Sequence, residues 1–185
     1  MKYQVHSPES APLAARDTLE KTTKAWGFLP NLGAIIAESP AALELLWVAY
    51  GALTTKGTLS PAEQQLVSVA ASRENRCAYC VAAHSTMALA AKLPQQAVSA
   101  LRDGQPILDP KLEALRLVTE RLVRQRGWLN EQDKQDFRHA GYTSGQLLEV
   151  VGWVAVKTLT NYTNHLAETP VDAAWQAQAW SPPAM

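Results

Sequence analysis

The chain has 185 residues, with 17 Lys and Arg against 17 Asp and Glu for a formal net charge of zero, and an apolar share of 47%. Size scaling lets a chain of this length bury roughly 70% of its unfolded surface, so a single domain with a real core is expected without disulfide or metal staples. The balanced charge excludes a surface built for nucleic acid, which needs clustered Lys and Arg, and a mean hydropathy of -0.15 excludes a disordered or fibrous chain.

The start, Met1 to Pro8, holds no apolar run, and the longest one, Val150 to Val156, is seven residues. No membrane span or export signal is expected, and the chain reads as cytoplasmic. Apolar positions recur at three and four nearly everywhere, which is helical writing. After an arm over 1–10, Ala11 to Trp26 reads as a helix stopped by Gly27 and the Leu29-Pro30 step. Asn31 to Glu38 is a short second helix, and Leu43, Leu46, Trp47, Tyr50 and Leu53 mark one face of a third from about Pro40 to Thr54. Ser60-Pro61-Ala62-Glu63 opens the fourth with a capping box and a proline at its first position, running to about Arg73.

A break at Asn75-Arg76 precedes a helix from near Cys77 to about Ala91, and Pro94 starts another that reaches Leu101. The spacing of Leu112, Leu115, Val118 and Leu122 gives a helix from Pro110 to about Arg126, and a polar helix follows from Asn130 or Glu131 to His139. Thr143 to His165 is the longest apolar segment and is expected at the centre of a bundle. The tail over 170–185 is expected to pack through Trp175 and Trp180 on the body or on a neighbouring copy, with Trp128 a further candidate contact. No strand is expected: the fold class is all-α, one domain over 1–185.

The chemistry is concentrated in Arg76-Cys77-Ala78-Tyr79-Cys80-Val81-Ala82-Ala83-His84. At 100° per residue, Cys80 lies about 60° and His84 about 20° from Cys77, so two thiols and an imidazole share one helix face. Cys77 falls at the helix N-terminus, where the macrodipole favours a thiolate, with Arg73 and Arg76 adding positive charge. His84, one turn beyond Cys80, is placed to take its proton. Two thiols so spaced can close into a disulfide and be reopened, the chemistry of a thiol-dependent peroxidase. Cys80 is assigned as the attacking thiol because it is nearer the base, and Cys77 as the resolving one; the reverse order stays open. Zinc would find three ligands here and no fourth, and the chain shows no nicotinamide, flavin or haem motif, so no cofactor or metal is expected.

The run Leu59-Ser60-Pro61-Ala62-Glu63, then Val67-Ser68-Val69-Ala70-Ala71-Ser72-Arg73, then C-A-Y-C-V-A-A-H resembles the carboxymuconolactone decarboxylase superfamily in its AhpD-like (alkyl hydroperoxidase D) branch, over about 43–122. The resemblance implies an AhpD-like helical bundle and a homo-oligomer, whether dimer, trimer or hexamer. It also implies reduction of a hydroperoxide through a redox-active Cys77-Cys80 disulfide, with a dithiol or lipoyl-bearing protein as reductant. The second cysteine is the attacking one in that family, in agreement with Cys80. Two positions depart from the family pattern. Gln65 stands where a glutamate serves the proton relay, and Tyr79 where the best-known member has a histidine; both remain candidate polar neighbours, and the lost carboxylate implies a lower rate. Glu63 cannot share the face of Gln65, two residues away, and is read as the capping box partner or else as a buried acid with a raised pKa. Two other readings are kept, a non-catalytic redox-responsive oligomer and a decarboxylase-like lyase.

Overall fold

Three helices of the computed structural model, which describes residues 2–183, begin the same way: a capping side chain followed by proline. Ser39 caps α3 (Pro40–Lys56), Ser60 caps α4 (Pro61–Glu74) and Asp109 caps α7 (Pro110–Arg124). The cap oxygen takes an otherwise orphaned N–H, and proline costs no donor at the first helical position. The remaining helices are α1 (Leu13–Trp26), α2 (Asn31–Ile36), α5 (Ala78–Ala90), α6 (Gln95–Asp103), α8 (Glu131–His139) and α9 (Ser144–Ala167). The all-α expectation holds for the described residues, which contain no strand. Met1, and Ala184 and Met185 of the tail, lie outside them. No helix is long and apolar enough to cross a membrane among the described residues.

The bundle is organised around α4 rather than α9. Every residue from Glu63 to Ser72 is buried, and the helix packs against α5, α7, α9 and α6. Small side chains suit the central place: α4 buries Ser68, Ala70, Ala71 and Ser72, and α5, packed against it, buries Ala82, Ala83, Ser85 and Ala88. The main core gathers Leu66, Val67, Leu101, Leu115, Val118, Phe137 and Trp153. The longest segment, α9, was expected at the centre but is amphipathic instead. It buries Val150, Trp153 and Val156, then Lys157, Thr160, Asn161 and Asn164, while Leu148, Val151, Tyr162 and Leu166 face outward. Hydrophobic content alone does not reveal which face of a long helix is covered.

The tail does pack on the body of its own chain. A 3-10 turn, Ala173–Gln178, carries Trp175 into a buried aromatic cluster, and Trp180 Nε1 donates to the Arg102 carbonyl at 3.2 Å. Those two indoles are therefore spent within the monomer, whereas Trp128 is 80% exposed.

The α4 capping box is complete, with the Glu63 N–H donating to Ser60 Oγ at 3.3 Å and the Ser60 N–H to Glu63 Oε2 at 2.8 Å. Ser60→Ala should cost about 1 kcal/mol. In a domain of this size that lowers the thermal midpoint by about 2–4 °C in calorimetry.

Candidate active site

Where α4 ends, Arg76 takes a left-handed conformation at φ 59. The Cys77 N–H reaches the Ser72 carbonyl at 2.9 Å and the Arg76 N–H the Arg73 carbonyl at 2.9 Å, the two bonds of a Schellman motif. A non-glycine residue pays strain for this backbone. The turn reverses the chain within three residues and makes Cys77 the N-cap of α5. Cys80 then sits in the first turn of the helix. Both thiols are reduced, and each is only 1% exposed.

The polar stripe of α9 faces them. Lys157, Thr160, Asn161 and Asn164 recur at i, i+3, i+4 and i+7, one face of a helix. Asn164 Nδ2 donates to Cys80 Sγ at 3.2 Å and lies 3.7 Å from Cys77 Sγ, and Thr160 Oγ1 lies 3.8 Å from Cys80 Sγ. Asn161 locks the stripe to α4, donating from Nδ2 to Ser72 Oγ at 3.2 Å and accepting from Asn75 Nδ2 at 2.9 Å.

His84 shares the face of the cysteines, as the spacing requires, yet its ring nitrogens bond elsewhere. Nε2 is 2.5 Å from Lys157 Nζ, and Nδ1 is 2.8 Å from Gln65 Oε1. A lysine ammonium has only donors, so Nε2 must accept; Nδ1 therefore carries the ring proton and donates it to Gln65. Burial, with the Lys157 charge beside it, holds the His84 pKa well below its ordinary value, so the ring is neutral at pH 7. The expected direct bond from His84 to the Cys80 thiol is not made. The imidazole bridges Gln65 and Lys157 instead.

The two thiols differ sharply. Burial alone would raise the Cys80 pKa, but the hydrogen bond from Cys77, the Lys157 charge and Thr160 outweigh it and bring it down to about 5. The Cys77 pKa rises because its proton is held in the bond to Cys80, with burial acting in the same sense. Cys80 is thus the thiolate and Cys77 its proton-bearing neighbour. The helix terminus by itself had favoured the opposite order. Lys157 supplies the positive charge, since Arg73 turns to the Arg102 carbonyl and Glu74, and Arg76 to the Pro183 carbonyl.

Cys80, His84, Lys157 and Thr160 form the polar part of a cavity of about 60 Å³, otherwise walled by apolar and aromatic side chains that include Leu32, Trp47, Tyr50, Met87 and Trp175. That volume holds a few waters or one small organic group. Cys77 lies behind Cys80 and does not line it. The tail, from Pro170 onward, straps across this region. Asp172 accepts the Asn31 N–H at 3.1 Å and the Tyr79 hydroxyl at 2.6 Å, while Trp175 packs edge-on against Tyr79 and Phe28. Arg102 donates to the Gln178 and Ala179 carbonyls at 2.8 and 2.9 Å.

Of the residues singled out from sequence, Cys77, Cys80, His84 and Gln65 come together. Two do not. Tyr79 is a strap anchor: its hydroxyl donates to Asp172 and accepts from the Leu32 N–H at 3.2 Å, and burial, together with the Asp172 bond, raises its pKa. Glu63 stays in the capping box and binds Tyr142 and Lys111, at 2.9 and 3.2 Å. Burial would raise the Glu63 pKa, but the Ser60, Tyr142 and Lys111 contacts bring it below the usual carboxylate value, the reverse of a buried acid. Lys157, Thr160, Asn164 and Asp172 were missed. The polar stripe interrupting α9 was the available signal for the first three.

Residues 40–121 match the model of the Carboxymuconolactone decarboxylase family. The match takes in α3 to α6, the cysteines and most of α7, and leaves α9 and the strap outside it. No curated protein matches the sequence. The fold is that of an AhpD core. A peroxidase-related protein from Ralstonia eutropha JMP134, described as an alkylhydroperoxidase AhpD core, superposes with a TM-score of 0.84 at 22% identity, covering 98% of this chain and 97% of its own. A peroxidase-related protein from Silicibacter sp. TM1040 gives 0.79 at 20% identity, with coverages of 96% and 94%. The debrominase Bmp8 gives 0.76 at 15% identity, with coverages of 93% and 92%, so this fold also carries a different activity.

Titrated by thiolate ultraviolet absorbance, the reduced protein should show one thiol ionising with a midpoint at about 5, charged above it and protonated below, and a second well above the free-cysteine range. Asn164→Ala removes a charge-assisted donor and should move the lower midpoint upward by about one pH unit. Asp172→Ala cuts the strap anchor and should speed reaction of both thiols with an aromatic disulfide reagent about tenfold.

Proposed function

We propose that this protein is a thiol-dependent peroxidase reducing small organic hydroperoxides. One observation carries the reading: Cys80, the thiol held as a thiolate, is the one that lines the cavity, with a protonated Cys77 directly behind it. A nucleophile facing substrate space and a resolving thiol hidden from it is the order the chemistry needs. The Cys80 thiolate attacks the terminal peroxide oxygen, the O–O bond breaks, and Cys80 becomes a sulfenic acid while an alkoxide departs. The Cys77 thiol then displaces the sulfenic hydroxyl, giving the Cys77-Cys80 disulfide and water. The two electrons taken by the peroxide come from the two sulfurs.

A dithiol of lipoyl type suits the return step, since its own ring closure completes the exchange with a disulfide closed over three residues. Asn164 serves both sulfurs across this cycle, because its amide lies within reach of each. Cytoplasmic location and assembly as a homo-oligomer belong to the same reading. Assembly is supported by the outward apolar side chains of α9, Leu148, Tyr162 and Leu166, with Leu45 and Val48 of α3.

A second reading has one observation in its favour. The cavity walls include the rings of Trp26, Trp47, Tyr50 and Trp175, which suit an aromatic guest, and debrominase Bmp8 shares the fold, a variant of it in complex with 2,3,4-tribromopyrrole. The same dithiol can deliver two electrons to a bromoarene, giving the arene, bromide, a proton and the disulfide.

The test is steady-state consumption of tert-butyl hydroperoxide with dihydrolipoamide as reductant. The native chain should turn over continuously, Cys80→Ser should fall to the uncatalysed background, and Cys77→Ser should consume one equivalent and stop. A single equivalent from the native chain would instead identify a sensor. Bromide release from a bromopyrrole without peroxide turnover would favour the second reading.

A further inference from the structure

Lys157 is 2% exposed, and among the described residues no carboxylate stands within ion-pair distance of it. Its hydrogen-bonding partner is the neutral His84. A buried ammonium without a counter-charge is costly, and proteins seldom keep one unless something nearby carries the opposite sign. The groups that face it are few. Tyr50 comes from α3, Gln65 from α4 through His84, Cys80 and His84 from α5, and Thr160 from its own helix; Asp172 of the strap is occupied by Tyr79 and Asn31. Cys80 is the one group among them that can become an anion near neutral pH. Lys157 also lines the same cavity as Cys80, within which a peroxide attacked by that sulfur would leave its second oxygen.

We propose that Lys157 is both the counter-ion of the Cys80 thiolate and the acid that protonates the departing alkoxide, aimed by the neutral His84 and Gln65. The proposal rests on the peroxidase reading for its second half. The proton count closes. The thiolate takes the hydroxyl oxygen, the O–O electron pair leaves on the alkoxide, and an Nζ proton converts it to the alcohol, leaving a neutral amine and a neutral sulfenic acid. Condensation with the Cys77 thiol releases water and leaves the disulfide. Reduction by a dithiol restores a thiol and a thiolate, frees one proton, and that proton recharges Lys157.

This assignment gives Gln65 a positive reason. A carboxylate at that position, 2.8 Å from Nδ1, would favour an imidazolium and draw the Lys157 proton toward the ring. It would also add negative charge near the thiolate. The neutral amide keeps His84 as a pure acceptor and leaves the cation on Lys157. Gln65→Glu should therefore slow the reaction, whereas a merely missing relay carboxylate would make the same variant faster.

The deciding experiment is single-turnover oxidation of the fully reduced chain, comparing tert-butyl hydroperoxide with peracetic acid, whose carboxylate leaving group needs no proton. Each variant is first titrated by thiolate absorbance and then assayed where Cys80 is ionised. Lys157→Met, an apolar replacement of similar length, should raise the thiolate midpoint and slow the hydroperoxide about a hundredfold. The peracid should slow less than about tenfold in that variant. Lys157→Arg keeps the charge but is a poor acid, so it should keep the low midpoint and still lose the hydroperoxide reaction. Equal losses for both oxidants, or no loss, would overturn the acid role, and an unmoved midpoint in Lys157→Met would overturn the counter-ion role. A native chain inert to both oxidants would overturn the peroxidase reading and the acid role with it, while the midpoints still decide the counter-ion.

Discussion

A lysine ammonium in a nearly dry interior constrains the whole site. Lys157 sits on α9, its partner nitrogen on α5 and that ring's second partner on α4, so three helices meet in one chain of hydrogen bonds. The direction of each bond follows from the fact that an ammonium only donates. From it come the tautomer of His84 and the orientation of the Gln65 amide, and it adds to the thiol asymmetry that the Cys77–Cys80 hydrogen bond sets up. The fall in the Cys80 pKa and the rise in that of Cys77 are a joint effect, since one proton held between two sulfurs cannot leave both.

Local structure serves this arrangement at modest energetic expense. The left-handed Arg76 places Cys77 at the mouth of α5, and Ser72 of α4 accepts a bond from Asn161 of α9. On α9, Asn161 bonds Ser72 and Asn75 and the Asn164 Nδ2 serves the sulfurs, whereas the buried Asn164 Oδ1 has no partner among the described residues. Such networks are stabilising when satisfied and expensive when broken, which ties the precision of the site to the integrity of the bundle.

Much of this was legible in the sequence. Helix starts at Pro40, Pro61 and Pro110 are set by side chains within a few residues of each proline, and the Cys-x-x-Cys-x-x-x-His spacing puts three groups on one face by geometry alone. The Glu63 capping box was readable for the same reason. What stayed hidden depends on residues far apart in the chain. Cys80 and Lys157 are 77 positions apart, and nothing local to either announces the other. His84 was assigned to Cys80 because helical spacing permits it, but a stronger donor from α9 took the nitrogen. Tyr79 was considered for its place between the cysteines, and its hydroxyl is captured by a strap that carries no periodic pattern. The centre of the bundle was misjudged because α4 contains Gln64, Gln65, Ser68 and Ser72; small or internally bonded polar residues can be as deeply covered as valine.

The strap divides possible reactants by size. A small peroxide fits a cavity of about 60 Å³, but a reducing dithiol on a carrier protein does not, and Cys77 is buried in the cluster to which Val171 and Trp175 of the strap belong. Under the proposed peroxidase reading, oxidation would proceed through the closed fold, and electrons from a carrier-borne dithiol would return only when the Asp172 and Arg102 anchors let go. A disulfide formed under such a cover would be insulated from dissolved monothiols, and its lifetime would follow the opening rate of a short polypeptide segment rather than the redox potential of the surroundings.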